Sequence, residues 1–437
     1  MLARRTRSFF FASLLGLLGC GQAHEHDPAP TIAAASPTAA PISATVSASP
    51  VTPAKATGAS EDDDSMPTET FTDGKRAFAT LEKALLDEYY AAGFTEDDMY
   101  RAAARGMLER VDPKMKKWNK LLPPSELAFM RTDLKGEVVG VGVQIKFESD
   151  TGWSDVLGVV PGSPAEKAGI AGGDKIVSVN GKLYKGMSTR EIVADIRGKA
   201  GETVTLTILR GDKLVPFPIK REVVTYDAVS SLLLENGVGY ALVHAFTEKT
   251  VATLRAALDD LGKKGARALV LDLRHNQGGL FDEAVATAGL FVPEGTAIVK
   301  LKKRGDKEEM LTAKGATSAA TIPIAILVDH ETSSGAELVT GALQEGRHAP
   351  VVGARTTGKW SVQVIKELGN GYAAKFTTTL FQTPSGKSFD GVGLLPDVEV
   401  GMDEMQCAKA QLITDPDKRL AADPQLRTAV AILRAKL

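Results

Sequence analysis

A serine at the turn between a strand and a helix is the most reactive feature that this sequence predicts. Residues 326–363 read ILVDHETSSGAELVTGALQEGRHAPVVGARTTGKWSVQ. The apolar run from Ile324 to Val328 predicts a strand, the pattern from Ala336 predicts a helix, and Ser334 lies between them. The first N–H groups of a helix lack internal partners. We therefore expect an exposed Ser334 hydroxyl for nucleophilic attack and a free Gly335 N–H for the oxyanion.

A lysine on the following loop can serve as the base for this serine. A serine hydroxyl is a weak nucleophile at neutral pH and needs a group that accepts its proton. Lys359 can do so only as a neutral amine, so burial must lower its pKa well below the usual value of about 10.4. Gln363 could hold that amine by a hydrogen bond without adding charge. The apolar residues expected to bury the amine are Trp360, Val362, Val351 and Val352.

A pair of glycines after a second buried strand predicts further donors for the oxyanion. Residues 272–280 read DLRHNQGGL, the end of an apolar strand and the start of a helix. Gly278 and Gly279 carry no side chain, so their N–H groups can approach a ligand closely. We expect the oxyanion to bind the Gly335 N–H and one N–H from Gly278 or Gly279.

Several separate motifs resemble those of the carboxyl-terminal processing (tail-specific) serine proteases. Residues 272–280 resemble the family's DLR-x-N-x-GG-L segment, and residues 332–337 resemble its small-residue run ending in Ser-Glu. With Glu337 as the anchor, Ser334 takes the nucleophile position and Lys359 follows after 359 − 334 = 25 residues, as in the family. The runs TPSGK (383–387) and GVGLLPD (391–397) also match. This resemblance covers residues 75–400 and implies that Ser334, Lys359 and Gln363 are nucleophile, general base and orienting residue.

The sequence departs from the family pattern at a few positions. Trp360 replaces the usual glycine after the lysine, and could crowd the site or shield the amine. Ser333 and Gly335 stand where alanine is commoner, so a shift of one residue would make Ser333 the nucleophile. Residues 112–115 also differ from the family, which concerns packing more than catalysis. These departures keep a second interpretation open, a catalytically inactive scaffold that binds protein tails.

Residues 131–222 predict short strands with glycine turns and resemble a PDZ domain. The run GSPAEKAGIAGGDKIVSVNG (162–181) carries the resemblance. It implies that a carboxylate binds the turn at Gly140, Val141, Gly142 and Val143, while the peptide adds a strand to the sheet edge. It also implies that Ile192 and Ile196 of a helix line the pocket for the last side chain. The alternative is a structural β-domain without a ligand.

The rest of the chain predicts helices around an α/β core. Residues 71–130 have helical spacing and predict an N-terminal helical subdomain. From 223 to 402 apolar strands alternate with helices, which predicts an α/β protease core with a parallel or mixed sheet. Residues 403–437 predict a helical tail. The inserted PDZ β-domain lies between the first and second of these regions.

The first twenty residues predict export. Three arginines precede an apolar segment, Phe9 to Leu18, that is too short to span a bilayer. The end of this segment, Leu17-Leu18-Gly19-Cys20, resembles a bacterial lipoprotein processing site, which implies lipidation at Cys20. The alternative is an ordinary signal peptide. Residues 21–70 are rich in Ala, Pro, Ser and Thr and predict a disordered spacer, so the protein would be lipid-anchored on the periplasmic side of the cell envelope.

Composition and motifs exclude other classes of function. The formal net charge is −2, which gives no indication of a nucleic-acid partner. No helical His-x-x-x-His pair or nucleotide-binding lysine loop is present, and no metal or other cofactor is expected. His330 could pair with Ser334 but is interpreted as a surface residue, and His275 as a polar loop residue.

The preferred interpretation is a serine endopeptidase that binds protein tails and cleaves nearby backbone. Its substrates should end in apolar residues, since a PDZ pocket buries the final side chain. A relative of the retinoid-binding or tricorn type is disfavoured, because the PDZ region lies between the helices and the core. The natural substrate and the oligomeric state stay open, including a homo-oligomer.

Overall fold

The structure, a computed structural model, describes residues 70, 72–91, 93–148, 151–187, 189–315 and 317–437. The predicted signal (1–20), the Cys20 lipidation site and nearly all of the predicted spacer (21–70) lie outside these residues. Contacts divide the described chain into a small unit, residues up to 102, and a large unit, residues 103–437. Within this part of the chain, no helix is long and apolar enough to cross a membrane.

Eleven α-helices are found in the described residues, numbered here in chain order. They are α1 (Gly74–Glu88), α2 (Glu96–Arg110), α3 (Pro124–Leu134), α4 (Pro164–Ala168), α5 (Thr189–Ile196), α6 (Thr250–Lys263), α7 (Phe281–Gly289), α8 (Gly335–Arg347), α9 (Glu404–Gln411), α10 (Pro416–Ala422) and α11 (Pro424–Arg434). Short 3-10 turns occur at Pro113–Met115, Glu235–Gly237 and Ser318–Ala320.

Nineteen strands are found in the same residues. They are β1 (Lys120–Leu122), β2 (Glu137–Gly140), β3 (Val143–Glu148), β4 (Trp153–Val159), β5 (Lys175–Val179), β6 (Lys182–Leu183), β7 (Thr203–Arg210), β8 (Lys213–Lys220), β9 (Glu222–Thr225), β10 (Val229–Leu233), β11 (Val238–Val243), β12 (Ala268–Asp272), β13 (Ala297–Lys303), β14 (Lys307–Thr312), β15 (Ile324–Val328), β16 (Val351–Gly353), β17 (Ser361–Glu367), β18 (Ala373–Gln382) and β19 (Val398–Glu399).

The core of the large unit is a six-stranded sheet in the order β10-β11-β12-β15-β16-β19. Its strands run parallel except β10, which is antiparallel to β11. Every residue of β11, β12 and β15 is buried, as expected for central strands covered on both faces. Helices α6, α7 and α8 contribute to the hydrophobic core on one face, and α11 to that on the other. The α/β prediction is confirmed, with a mixed sheet.

A second sheet has the strand order β1-β18-β13-β14, and β17 also pairs with β18. One of its strands, β17, follows the predicted lysine base closely in sequence. Strand β17 begins two residues after Lys359, and β1 directly follows Trp118 and Asn119. Strand β1 lies within residues 71–130, the region that the sequence predicted as helical. Strands β13, β14, β17 and β18 were not predicted.

The PDZ region has its own sheet, in the order β3-β4-β5-β7-β8, and its own buried core. The Asn180-Gly181 pair joins β5 to β6 with positive φ angles of 50° and 82°, which fits the predicted Asn-Gly hairpin turn. Strand β3 is at the edge of this sheet. An added peptide strand could therefore pair with it.

Candidate active site

Ser334 lies between the end of β15 and the first residue of α8, at the predicted turn. Its backbone angles, φ 56° and ψ −116°, are unusual for a residue with a side chain and cost about 1–3 kcal/mol. The Asp329 carboxylate holds the turn by accepting hydrogen bonds from the N–H groups of Glu331 and Thr332. Ser334 is half-buried, whereas Ser333 is buried with its N–H donated to the Asn276 carbonyl. Access therefore favours Ser334 over its neighbour.

Glu337 joins the serine turn to the lysine loop. Its carboxylate is fully buried and accepts the N–H of Ser334 at 2.9 Å and that of Lys359 at 2.8 Å. It also accepts the Gly358 N–H, the Thr356 hydroxyl and the Trp360 indole N–H. Burial raises the pKa of this carboxyl, while the donated hydrogen bonds oppose that effect. Glu337 was not predicted as a site residue from the sequence, although an acidic residue three positions into a helix is a known capping signal.

Lys359 is buried, with 6% of its surface exposed. Burial lowers the pKa of its amine to about 8, and the nearby Glu337 charge opposes this. The nitrogen lies 4.8 Å from the centroid of the Trp118 ring, which is itself buried. The amine therefore occupies the dry environment that a lysine base needs. The ring that packs against it is that of Trp118, which was not among the residues predicted to bury it.

Trp360, which was expected to crowd the site or shield the amine, is buried in the hydrophobic core of the large unit. Its indole N–H donates to Glu337 at 3.2 Å. Its ring packs against Phe381 and Phe389, with centroids 5.0 and 5.1 Å away. Trp360 therefore belongs to the core on the Glu337 side.

Gln363 lies on β17, half-buried, near the lysine in sequence. Its amide donates to the Ser361 hydroxyl at 2.9 Å and lies 3.4 Å from the Thr377 hydroxyl. No hydrogen bond joins Lys359 to Gln363 or to Ser334 among the residues that the structure describes. The predicted contacts are thus not made in this state, and catalytic hydrogen bonds are often long before substrate binds.

Gly278 of the predicted glycine pair lies against the serine, and Gly279 lies against the Phe246 backbone. A Cβ on Gly278 would lie 2.8 Å from the Ser334 Cβ and 3.1 Å from the Gly335 nitrogen, so no larger residue fits there. The Gly278 N–H is donated to the Asn276 side chain at 2.8 Å. Within the described chain the Gly279 N–H has no such partner. Of the two glycines, Gly279 is therefore the one with a donor still available.

His275 lies in the turn after β12, in agreement with its interpretation as a polar loop residue. It is buried, and its Nδ1 lies 2.9 Å from Asp329 and 2.8 Å from Glu331. These carboxylates raise the pKa of His275 well above its usual value although burial acts the other way. His330 is exposed, as expected, and pairs with Glu404 rather than with Ser334.

The PDZ groove differs from the prediction at one side chain. A small cavity is lined by Gly140, Val141, Gly142 and Val143 together with Val193 and Ile196 of α5. Ile192 is fully buried in the PDZ core instead. Ile196 is near both Val193 and Ile192 on the helix surface, but only Val193 and Ile196 line the cavity. The apolar side of the groove is therefore formed by Val193 and Ile196.

Comparisons with known proteins agree with this architecture. Residues 237–400 match the family model for Peptidase family S41, and residues 156–210 match that for the PDZ domain. The chain is 34% identical over 346 residues to the "Probable CtpA-like serine protease" of Staphylococcus aureus (strain bovine RF122 / ET3-1), spanning 77% of this chain and 68% of that protein. It is also 34% identical over 332 residues to the carboxy-terminal processing protease CtpA of Bacillus subtilis (strain 168), spanning 75% and 69%.

A solved structure assigned to the S41 proteases, from Bacteroides fragilis NCTC 9343, has a TM-score of 0.57 with this chain. The match covers 82% of this chain and 97% of that one, at 18% identity. Such a likeness concerns the fold alone. The predicted fold class, a protease core with an inserted PDZ domain and N-terminal helices, is confirmed.

Proposed function

Because this chain belongs to the S41 peptidases, among the CtpA-like carboxy-terminal processing serine proteases with a PDZ domain, we propose that it cleaves proteins by a Ser-Lys mechanism. Ser334 is the nucleophile and Lys359 is the base. The observation that carries the proposal is the Glu337 carboxylate, which binds the N–H groups of both residues and so fixes one relative to the other. The buried amine beside it has a pKa lowered to about 8.

The reaction follows from these groups. The Ser334 hydroxyl transfers its proton to the neutral Lys359 amine while its oxygen bonds to the substrate carbonyl carbon. The oxyanion binds the N–H groups of Gly335 and Gly279. When the C–N bond breaks, the Lys359 ammonium donates the proton to the leaving amine. The same amine then takes a proton from water, which hydrolyses the ester on Ser334.

Gln363 is proposed to orient the lysine once substrate is bound. Its amide now donates to Ser361 and Thr377, and one of these hydrogen bonds would be exchanged for one to the lysine amine. A neutral amide would hold the amine without raising the pKa of Lys359. A carboxylate in its place would raise that pKa.

The PDZ domain is proposed to capture the substrate's C-terminal tail. Edge strand β3 can accept the tail as an added strand, and Val193 and Ile196 can bury its last side chain. Tails ending in apolar residues should therefore be cut faster than the same tails ending in a charged residue.

One digestion experiment separates this function from an inactive scaffold. A test protein with an apolar C-terminal tail and a twin with a charged tail are incubated with the enzyme, and the fragments are identified by mass spectrometry. We expect cleavage of the first protein and slower cleavage of the second. A serine-directed fluorophosphonate should label the peptide that contains Ser334. Tails that bind but stay intact, with no label on this peptide, would support the scaffold instead.

Activity is expected to rise with pH and to level off above about pH 8, the pKa of Lys359. Below that value the amine holds a proton and cannot accept the one on Ser334, so kcat/KM should fall about tenfold per pH unit. The measurement is kcat/KM with a peptide that has no titrating group in this range. If kcat/KM instead falls below about pH 6, and this pH dependence disappears in His330→Ala, the base would be a histidine.

The proposed location is the periplasmic side of the bacterial cell envelope, with a lipid on Cys20. Replacing Cys20 by alanine is expected to move the protein from the membrane fraction to the soluble fraction, since acyl chains would be its only anchor. Incorporation of a labelled fatty acid measures this directly. Cys407→Ser is the matched control and should keep the label. If the wild-type protein incorporates no labelled fatty acid, residues 1–20 are an ordinary signal peptide.

A further inference from the structure

His275, Asp329 and Cys407 form a cluster of side chains of the kinds that bind metal ions. All three are buried, and their candidate ligand atoms lie within 4.8 Å of one another. They come from three separate segments, which are the turn after β12, the turn after β15 and helix α9. Cys407 is a free cysteine. Because no two of these residues are close in the chain, no local sequence motif indicates the cluster.

The carboxylates around His275 each present one oxygen to its imidazole. Nδ1 lies 2.9 Å from Oδ2 of Asp329 and 2.8 Å from Oε2 of Glu331. The other oxygen of Asp329, Oδ1, accepts the backbone N–H groups of His275, Glu331 and Thr332. Oε1 of Glu331 lies 3.8 Å from the Lys146 amine. Partners on the far oxygen orient each carboxylate, as outer-shell groups do in metal sites.

The donor atoms of this cluster match the ligand preferences of zinc. Zn²⁺ binds thiolate sulfur, imidazole nitrogen and carboxylate oxygen, usually four atoms at tetrahedral positions. Nitrogen and oxygen ligands of one tetrahedral zinc ion lie about 3.3 Å apart. An ion in place of the Nδ1 proton would therefore move the two carboxylate oxygens outward by about half an ångström. The sulfur disfavours Mg²⁺ and Ca²⁺, which take oxygen ligands.

The charges and the access route also fit a cation. Two carboxylates and a thiolate around a neutral imidazole supply the negative charge that offsets Zn²⁺. The Lys146 amine is held at 2.8 Å by Glu404, so Glu331 can turn to the ion without leaving that amine unpaired. The Glu331 side chain is 31% exposed, against 6% for His275 and 9% for Asp329. An ion would therefore enter past Glu331.

We propose that His275, Asp329, Glu331 and Cys407 bind one zinc ion, a structural site that joins α9 to the serine turn and to the glycine loop. The ligands would be a neutral imidazole, two carboxylates and a thiolate. His275 lies three residues before Gly278, and Asp329 holds the serine turn through its backbone N–H groups. The ion would thus fix both segments to the C-terminal helix without touching substrate. Its binding does not require the Ser-Lys function.

Cobalt(II) is the probe for the test, because it occupies zinc sites and its absorption spectrum reports its ligands. Titration of the chelator-treated protein should show one tightly bound cobalt ion, with a thiolate-to-cobalt charge-transfer band that zinc abolishes. Cys407→Ser should remove the band, and His275→Asn should weaken cobalt binding by about 10²-fold. His348→Asn is the matched control, since His348 is exposed and has a positive φ like His275. It should bind cobalt as the wild type does.

Thermal unfolding of the wild type gives a second readout that needs no variant and no cleavage. Zinc in large excess over its Kd should raise Tm by about 3 °C or more, because the four ligands come together only in the folded state. Magnesium at the same concentration should leave Tm unchanged.

Several results would overturn the inference. Cobalt that binds without the charge-transfer band, or with the same band in Cys407→Ser, would be bound elsewhere on the protein. Unchanged cobalt affinity in His275→Asn would remove the imidazole from the site. A wild-type protein that binds no cobalt and gains no stability from zinc would show that His275 only forms ion pairs with Asp329 and Glu331.

Discussion

Ser334→Ala should lower kcat/KM by about 10⁴-fold or more, because the hydroxyl is the only atom proposed to form the ester. The fold should persist, since the N–H that binds Glu337 is part of the backbone and alanine keeps it. Alanine also occupies the same unusual backbone angles no worse than serine does. Substrate tails should therefore still bind, and only their cleavage should stop.

Ser333→Ala is the matched control for this prediction. Ser333 is buried, whereas Ser334 is half-buried at the tip of the turn. We expect Ser333→Ala to retain most of the activity when both variants are assayed on the same tailed protein, with thermal unfolding measured in parallel. Full activity in Ser334→Ala, or its loss only in Ser333→Ala, would shift the nucleophile by one residue.

Glu337→Ala should cause the largest loss of stability of any single change at the site. Five donors, including the N–H groups of Ser334, Gly358 and Lys359, would be left in a buried place without an acceptor. Each unsatisfied buried group costs about 1–3 kcal/mol, so partial relaxation still leaves a loss of about 3–5 kcal/mol. Activity should fall by at least about 10²-fold, because the serine and the lysine lose their common anchor.

Urea unfolding followed by tryptophan fluorescence measures this effect, since Trp118 and Trp360 both lie at the site. The matched control is Glu345→Ala, on the same helix, whose carboxylate accepts two hydrogen bonds from Ser385 and lies 3.6 Å from the Lys387 amine near the surface. It should cost about 1 kcal/mol or less. Similar losses for the two variants would mean that Glu337 is not the anchor we describe.

Much of the fold could be predicted from the sequence, because the residue patterns that indicate it are local. The central strands are continuous apolar runs, such as Ile324 to Val328, and buried parallel strands have that composition. The serine, the lysine and the glycine pair each lie within a conspicuous local motif. Residues of this kind can be found without knowledge of how distant segments meet.

The features that were missed depend on contacts between distant segments. Trp118 lies 359 − 118 = 241 residues before the lysine whose amine it covers. Ile192 was selected because it is apolar and on the right helix, but only the helix rotation decides that Val193 faces the groove.

The conformation of Ser334 has a consequence for how this sequence can change over time. A serine held at φ 56° is under strain that glycine would relieve at once. A substitution that makes the fold more stable at this position therefore removes the nucleophile. Only continued selection for cutting keeps the serine, so descendants freed from that demand should lose the hydroxyl early and keep the tail-binding groove.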